Sequence, residues 1–148
     1  MFQEAKLHLY IHPAIQIAGI VLGYLAFYWG VKRYLTVHAG RKFIFAWKQH
    51  VLTGKLALVL WLIGIGVGLH YTRAEWNFLK ITGEHYTIGM ATIPFILATF
   101  FTGYWMDLFK KRRKYLCLVH GVVGTILCLL VFVQIITGVQ VFYIFVWH

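Results

Sequence analysis

Hydrophobic positions along this chain neither alternate nor trace one face of a helix. They gather into long, nearly uninterrupted runs parted by short basic stretches. A helix that crosses the hydrocarbon core of a bilayer needs about 20 mostly apolar residues. Four segments supply them, at about 10–31, 50–70, 85–106 and 115–140. Pro13 falls where the first turn of a helix tolerates it, and Pro94 lies inside the third segment and should kink it. The last apolar run continues to His148, roughly 50 Å if fully helical at about 1.5 Å per residue. That exceeds a bilayer, so a bend or break is expected near Thr137-Gly138, leaving residues 141–148 at the interface. The pattern predicts an all-α membrane protein with a single domain over 1–148, an up-down four-helix transmembrane bundle bathed in lipid.

Composition agrees with that reading and removes others. With 61% hydrophobic and 12% charged residues in 148, the chain is too apolar for a water-soluble domain of its size. The net charge of +10 would suit nucleic acid, but the cations sit in clusters between apolar runs and not along a polar face, so no nucleic acid is expected. Residues 32–49 hold Lys32, Arg33, Arg41, Lys42 and Lys48, and residues 107–114 hold Asp107 with the five cations Lys110, Lys111, Arg112, Arg113 and Lys114. On the opposite side stand Lys6, Arg73 and Lys80 against Glu4, Glu75 and Glu84. Lys/Arg-rich short loops stay in the cytoplasm, which places both termini outside. Trp29, Trp47, Trp76, Trp105 and Trp147 fall near span ends, as an aromatic belt requires. The N-terminus lacks the basic region and cleavage site of a signal peptide, so the first run is expected to stay as a span. Cys117 and Cys128 share one apolar run and read as small buried hydrophobes. No CxxCH occurs, so covalent c-type haem is not indicated.

The candidate chemistry lies in the histidines. The stretch KKRRKYLCLVHGVVG at 110–124 sets five cations before an apolar run that contains His120. A histidine inside hydrocarbon is costly and calls for a function. His12, His50, His85 and His120 stand one in each span. Three have glycine at i+4, namely Gly54, Gly89 and Gly124, while His12 has Gly19 at i+7, so each glycine shares a face with its histidine. Small residues also serve plain helix packing in membranes. Glycine beside a histidine in span after span, however, suits ligation of a flat macrocycle that needs the surface cleared. Spans one and three begin outside and spans two and four inside. His12 and His85 therefore form an outer pair, and His50 and His120 an inner pair. In an up-down bundle these are diagonal partners facing across the core, where bundles hold cofactors. Two His–iron–His haems, on the order of 20–25 Å apart by helix rise, would carry electrons across a membrane.

One histidine per helix, paired first with third and second with fourth, resembles the cytochrome b561 core. The opening His12-Pro13-Ala14-Ile15-Gln16 resembles a prokaryotic b561-like group without the extra flanking helices of eukaryotic members. The likeness spans nearly the whole chain. It implies two b-type haems with His12, His50, His85 and His120 as axial iron ligands, electron transfer in a prokaryotic cytoplasmic (inner) membrane, and a homodimer. No ascorbate pattern of the eukaryotic members is recognisable, so the likeness does not carry ascorbate over as donor.

Several other residues could support such a site. His8 is an alternative to His12 as ligand. His70 suits the outer interface, a quinone or propionate contact, or proton handling. His38 and His148 read as solvated. Lys55, one turn past His50, either snorkels to the inner interface or pairs with a haem propionate, as Arg41, Lys42 and Lys48 could. Gln16 would bond a haem edge or a quinone oxygen, and Gln134 and Gln140 should face the core. Glu84 would either orient the His85 imidazole or cap the helix start. The main functional expectation is a dihaem b-type cytochrome linking a quinol pool or cytoplasmic-side donor to an extracytoplasmic acceptor such as a c-type cytochrome. Alternatives are a haem-bearing anchor subunit of a larger respiratory oxidoreductase, or a non-haem transporter or scaffold with structural or proton-handling histidines. No nucleophile–base constellation is present in the sequence, so any enzymatic activity would run through the haems.

Overall fold

The computed structural model describes residues 7–111 and 113–147, and the described residues form helices and no strand. A short 3-10 turn, Leu7–Tyr10, leads into α1 (Ile11–His38). It is followed by α2 (Trp47–Trp76), α3 (Glu84–Leu108) and α4 (Lys114–Phe142), which continues into a π-helical turn, Tyr143–Trp147. All four helices are long and apolar enough to cross a membrane. Only 11–22% of the most apolar window of each is buried inside the bundle. Large side chains such as Phe101, Leu129 and Val139 point outward at 62–65% exposure, a coating that suits lipid and not water. The chain is thus built as a multi-pass membrane protein.

Helices α1 and α2 outrun the apolar segments that announce them. Lys32 and Arg33, assigned by sequence to a loop, sit on α1. The Lys32 ammonium rests over the rings of Tyr28 and Trp29 at 4.4 and 4.7 Å, and the Arg33 guanidinium lies 5.6 Å from the Phe45 ring. Long apolar stems and aromatic faces let these cations ride on the helix while reaching the interface. The α1–α2 connection shrinks accordingly to residues 39–46, where Gly40 adopts φ of 65° and Arg41 N–H closes onto the Leu35 carbonyl at 3.1 Å. Asn77, at φ of 53°, ends α2 in the left-handed conformation, its N–H bonded to the Arg73 carbonyl at 3.1 Å. Helix α3 stays helical on both sides of Pro94.

No break occurs at Thr137-Gly138, the point expected to bend or break, since α4 stays helical through both residues to Phe142. The Thr137 hydroxyl bonds back to the Val133 carbonyl at 3.2 Å within the helix. Gly138 is occupied by a different task, described below. The change of helix type comes only at Tyr143.

Neighbouring helices run antiparallel. The start of α1 meets the end of α2 through His12 and Gly64, and the start of α3 meets the end of α4 through His85 and Thr137. These two hairpins make the more extensive contacts. Between them, Tyr24 donates to the Cys128 carbonyl at 3.1 Å and Tyr10 meets Phe142 edge-on, joining α1 to α4. Lys55 and Asp107 join α2 to α3. Helices α1 and α3 are therefore diagonal, as are α2 and α4. Midway along the bundle, Leu58, Trp61, Ile96, Leu127 and Val131 form the buried core.

Trp61 fixes how closely α1 and α2 approach. A Cβ on Gly19 would stand 2.8 Å from its ring, and one on Gly23 2.6 Å. The indole is rigid and 5% exposed, so it has nowhere to retreat. Gly23→Ala should therefore destabilise the bundle by about 1–3 kcal/mol, read as a lower unfolding temperature in detergent. Gly66→Ala, whose added methyl meets nothing within 4 Å, should match or exceed the wild type. Equal behaviour of the two variants would contradict the packing role of Trp61.

Candidate functional site

Two histidine pairs occupy the interior at two levels. The His12 and His85 rings have centroids 6.2 Å apart with planes at 89°, and those of His50 and His120 lie 6.1 Å apart at 81°. Each pair spans a diagonal, α1 to α3 and α2 to α4, matching the pairing read from the sequence. Two imidazole nitrogens on opposite sides of one metal stand about 4 Å apart, which places the ring centres about 6 Å apart. The observed separations fit that requirement. Among the described residues no group of three or more His, Cys, Asp or Glu side chains could hold a metal, and each level offers one pair of histidines.

The ring nitrogens are differentiated. His12 Nδ1 lies 2.7 Å from the Gly64 carbonyl and His50 Nδ1 lies 2.8 Å from the Ala26 carbonyl. A carbonyl only accepts, so both rings carry their proton on Nδ1. His85 Nδ1 lies 3.0 Å from the Thr137 hydroxyl, and His120 Nδ1 lies 2.9 Å from the Thr102 hydroxyl. Those hydroxyls have acceptors on their own helix for their single proton, Thr102 the Ala98 carbonyl at 2.6 Å and Thr137 either the Gln134 Oε1 at 3.1 Å or the Val133 carbonyl at 3.2 Å. Their oxygens therefore accept from Nδ1–H. The carbonyls fix Nε2 as the basic nitrogen of His12 and His50, and the same tautomer of His85 and His120 matches the threonine hydroxyls' own acceptors. It is the form that ligates a metal with its other nitrogen anchored.

Glycine makes this anchoring sterically feasible, at positions other than the i+4 glycines read from the sequence as clearing room for a macrocycle. Gly54 faces Ala26 Cβ at 3.7 Å, Gly89 is filled by the Gln134 amide, and Gly124 has only Thr99 Cγ2 at 4.0 Å. The imidazoles lie instead against Gly68, Gly30, Gly138 and Gly103 of the adjacent helices. A Cβ there would stand 2.9 Å from His12, 3.4 Å from His50, 3.1 Å from His85 and 3.0 Å from His120, respectively. The physical reason is that each ring reaches across to the neighbouring backbone for its hydrogen bond and needs room on that helix, not on its own. Gly19, paired with His12 by spacing, is taken up by Trp61.

A sequence signal for these four glycines exists. His12 and Gly30, His50 and Gly68, His85 and Gly103, and His120 and Gly138 are each 18 residues apart. Eighteen residues make about five turns at 3.6 residues per turn and roughly 27 Å of rise, so histidine and glycine share one face at opposite levels. Antiparallel pairing then sets every histidine against its neighbour's glycine.

A cavity of about 420 Å³ opens at the His12–His85 level, lined by both imidazoles, Gln16, Trp61, Gly89 and Gln134 among others. That volume is within the range of small-molecule and cofactor sites. Gln16 lies against Gly64 and Gln134 against Gly89. Gln134 donates to the His85 carbonyl at 3.1 Å and accepts from Thr137 at 3.1 Å. Gln140 lines a smaller cavity beside Glu84 and Thr137.

Other expected roles change. The Lys55 ammonium pairs with Asp107 at 2.9 Å, with Lys110 on the same carboxylate at 2.6 Å, a protein partner not read from the sequence. Asp107, in the last turn of α3, lies at the level of Lys55, about two turns into α2, which brings them together. Glu84 begins α3, but the Nδ1 of His85 is held by Thr137, a residue the sequence reading assigned only to a bend. His8 bonds Glu75 at 2.9 Å and packs edge-on to Tyr71, away from the His12–His85 pair. His70 packs against Tyr71, and His38, expected in solvent, stacks on Tyr34 with its Nε2 buried. Both cysteines are free thiols. Glu4, Lys6, Arg112 and His148 lie outside the described residues.

No protein-family model, curated protein or solved structure matches the chain.

The Lys55–Asp107 pair is partly exposed, at 43% and 22%, and exposed pairs contribute about 0.2–1 kcal/mol. A double-mutant cycle with Lys55→Met and Asp107→Asn, read by unfolding in detergent, should give a coupling in that range that shrinks with added salt.

Proposed function

We propose that the chain is a dihaem b-type cytochrome that carries electrons across a membrane, with one haem held by His12 and His85 and the other by His50 and His120. The observation that carries this reading is the pair of diagonal histidine contacts, each ring anchored through Nδ1 with Nε2 left as the basic nitrogen. When bound, haem supplies an iron that gains and loses one electron reversibly. The chain's own residues do the rest. Four helices supply the ligands, the glycines of adjacent helices admit the rings, and the hydrogen bonds fix their orientation. The apolar core between the levels keeps water out.

Sidedness follows from charge. The connections at the His50–His120 end carry Arg41 and Lys42 and, among the described residues, Lys110, Lys111 and Arg113. The preference of Lys/Arg-rich short loops for the cytoplasm supports an inward-facing end there with both termini outside. Electrons then pass between a quinol pool or a cytoplasmic-side donor and an extracytoplasmic acceptor such as a c-type cytochrome, in a prokaryotic inner membrane.

Protein purified after haem-replete expression should contain two non-covalent b-type haems per chain, measured by extraction and by the reduced-minus-oxidised spectrum. His12→Leu and His85→Leu should remove the same haem, and His50→Leu and His120→Leu the other. Absence of haem would overturn the proposal, and losses that couple His12 with His50 would overturn the two-level assignment. Gly138→Leu should mimic His85→Leu, losing that haem and keeping the other.

A further inference from the structure

The four imidazoles are anchored in two different ways, and the difference follows a pattern. In every case the helix receiving the ring offers a glycine, and the carbonyl four residues before that glycine points toward the imidazole's position. For Gly30 and Gly68 these carbonyls are Ala26 and Gly64, and they accept directly from His50 and His12. For Gly103 and Gly138 the equivalent carbonyls belong to Thr99 and Gln134. At His85 a hydroxyl stands between ring and carbonyl, and at His120 a hydroxyl joins the Thr99 carbonyl at the ring. Thr102 lies 3.2 Å from the Thr99 carbonyl and 2.9 Å from His120, and Thr137 lies 3.4 Å from the Gln134 carbonyl and 3.0 Å from His85. Both threonines directly precede the glycine, whereas the matching positions before Gly30 and Gly68 are Trp29 and Val67. Each level therefore has one imidazole held by a backbone carbonyl without a side chain, which no substitution can remove, and one held through a threonine hydroxyl, which substitution can, the Thr99 carbonyl also reaching His120.

We infer that Thr102 and Thr137 are positioning residues that set the electron-donating strength of His120 and His85, and through them the potentials of the two haems independently. The inference rests on the haem reading above and goes beyond it by assigning a tuning residue to each centre. The sign follows from elementary chemistry. An acceptor on Nδ1–H increases the basicity of Nε2. A more basic axial ligand favours the ferric state, which lowers the potential. Removing the acceptor therefore raises it.

Valine is nearly isosteric with threonine and places a methyl where the hydroxyl stood, blocking the carbonyl behind it. Alanine removes the obstruction and lets the ring approach that carbonyl, as His12 and His50 do. Serine keeps the hydroxyl. Potentiometric titration of the purified haem-loaded protein, followed in the visible spectrum, should show Thr137→Val raising the midpoint of the His12–His85 haem while leaving the other in place. Thr102→Val should do the converse. Serine variants should titrate like wild type, and alanine variants should fall between serine and valine. The ferric low-spin signal in electron paramagnetic resonance should change only for the haem whose threonine is replaced. Loss of one haem in the valine variant, with retention and normal potential in the serine variant, also supports the inference. Unchanged midpoints in a haem-loaded valine variant, equal movement of both midpoints, or a serine variant that behaves like valine would overturn it. Wild-type protein without haem would instead overturn the cytochrome reading itself, so the two failures are distinguishable.

Discussion

An imidazole inside hydrocarbon must give its N–H to something, and a helix has little to offer its own side chains because its carbonyls already serve the backbone. The remaining lone pair of a neighbouring helix's carbonyl, or a threonine that relays to one, is the acceptor at hand. Much of the architecture follows from that need. The neighbour must come close enough to be reached, so it carries glycine where the ring lands. Close approach of antiparallel helices then locks a histidine and a glycine of one helix to a glycine and a histidine of the next. Repeating this in both hairpins creates two levels, and closing the hairpins into a ring brings diagonal histidines to 6.1 and 6.2 Å.

The hairpins are variations on one plan. His12 and Gly30 correspond to His85 and Gly103 at an offset of 73 residues, and His50 and Gly68 correspond to His120 and Gly138 at an offset of 70. The same offsets relate the contact of Gln16 with Gly64 to that of Gly89 with Gln134, with the glutamine moved to the opposite helix. Level, histidine and glycine are retained between halves, while the acceptors differ: backbone in the first hairpin, threonine in the second.

The parts of this design that follow the chain locally were legible in the sequence. Apolar runs of spanning length locate α1 to α4, and short connections force up-down order, from which the diagonal pairing of His12 with His85 and of His50 with His120 follows. The parts that depend on what lies across an interface were not. The i+4 spacing of Gly54, Gly89 and Gly124 is visible within one helix, whereas the glycines that receive the imidazoles, such as Gly68 and Gly138, lie on the next helix and show only once the helices are paired. Thr137-Gly138 reads as a helix breaker until His85 is seen to occupy that glycine. Lys55 looks unpaired until α3 brings Asp107 alongside. The lengths of α1 and α2 were underestimated because hydropathy counts Lys32 and Arg33 as loop, whereas their stems lie along aromatic rings.

The core between the two levels has a consequence of its own. Leu58, Ile96, Leu127 and Val131 have no exchangeable side-chain proton, and the Trp61 indole N–H is buried without an acceptor. A proton moves through a protein by hopping along a connected series of donors and acceptors, and this cluster offers no such series. The cluster itself is a proton insulator crossed by an aromatic ring, so charge passing through these five side chains would have to travel as an electron alone.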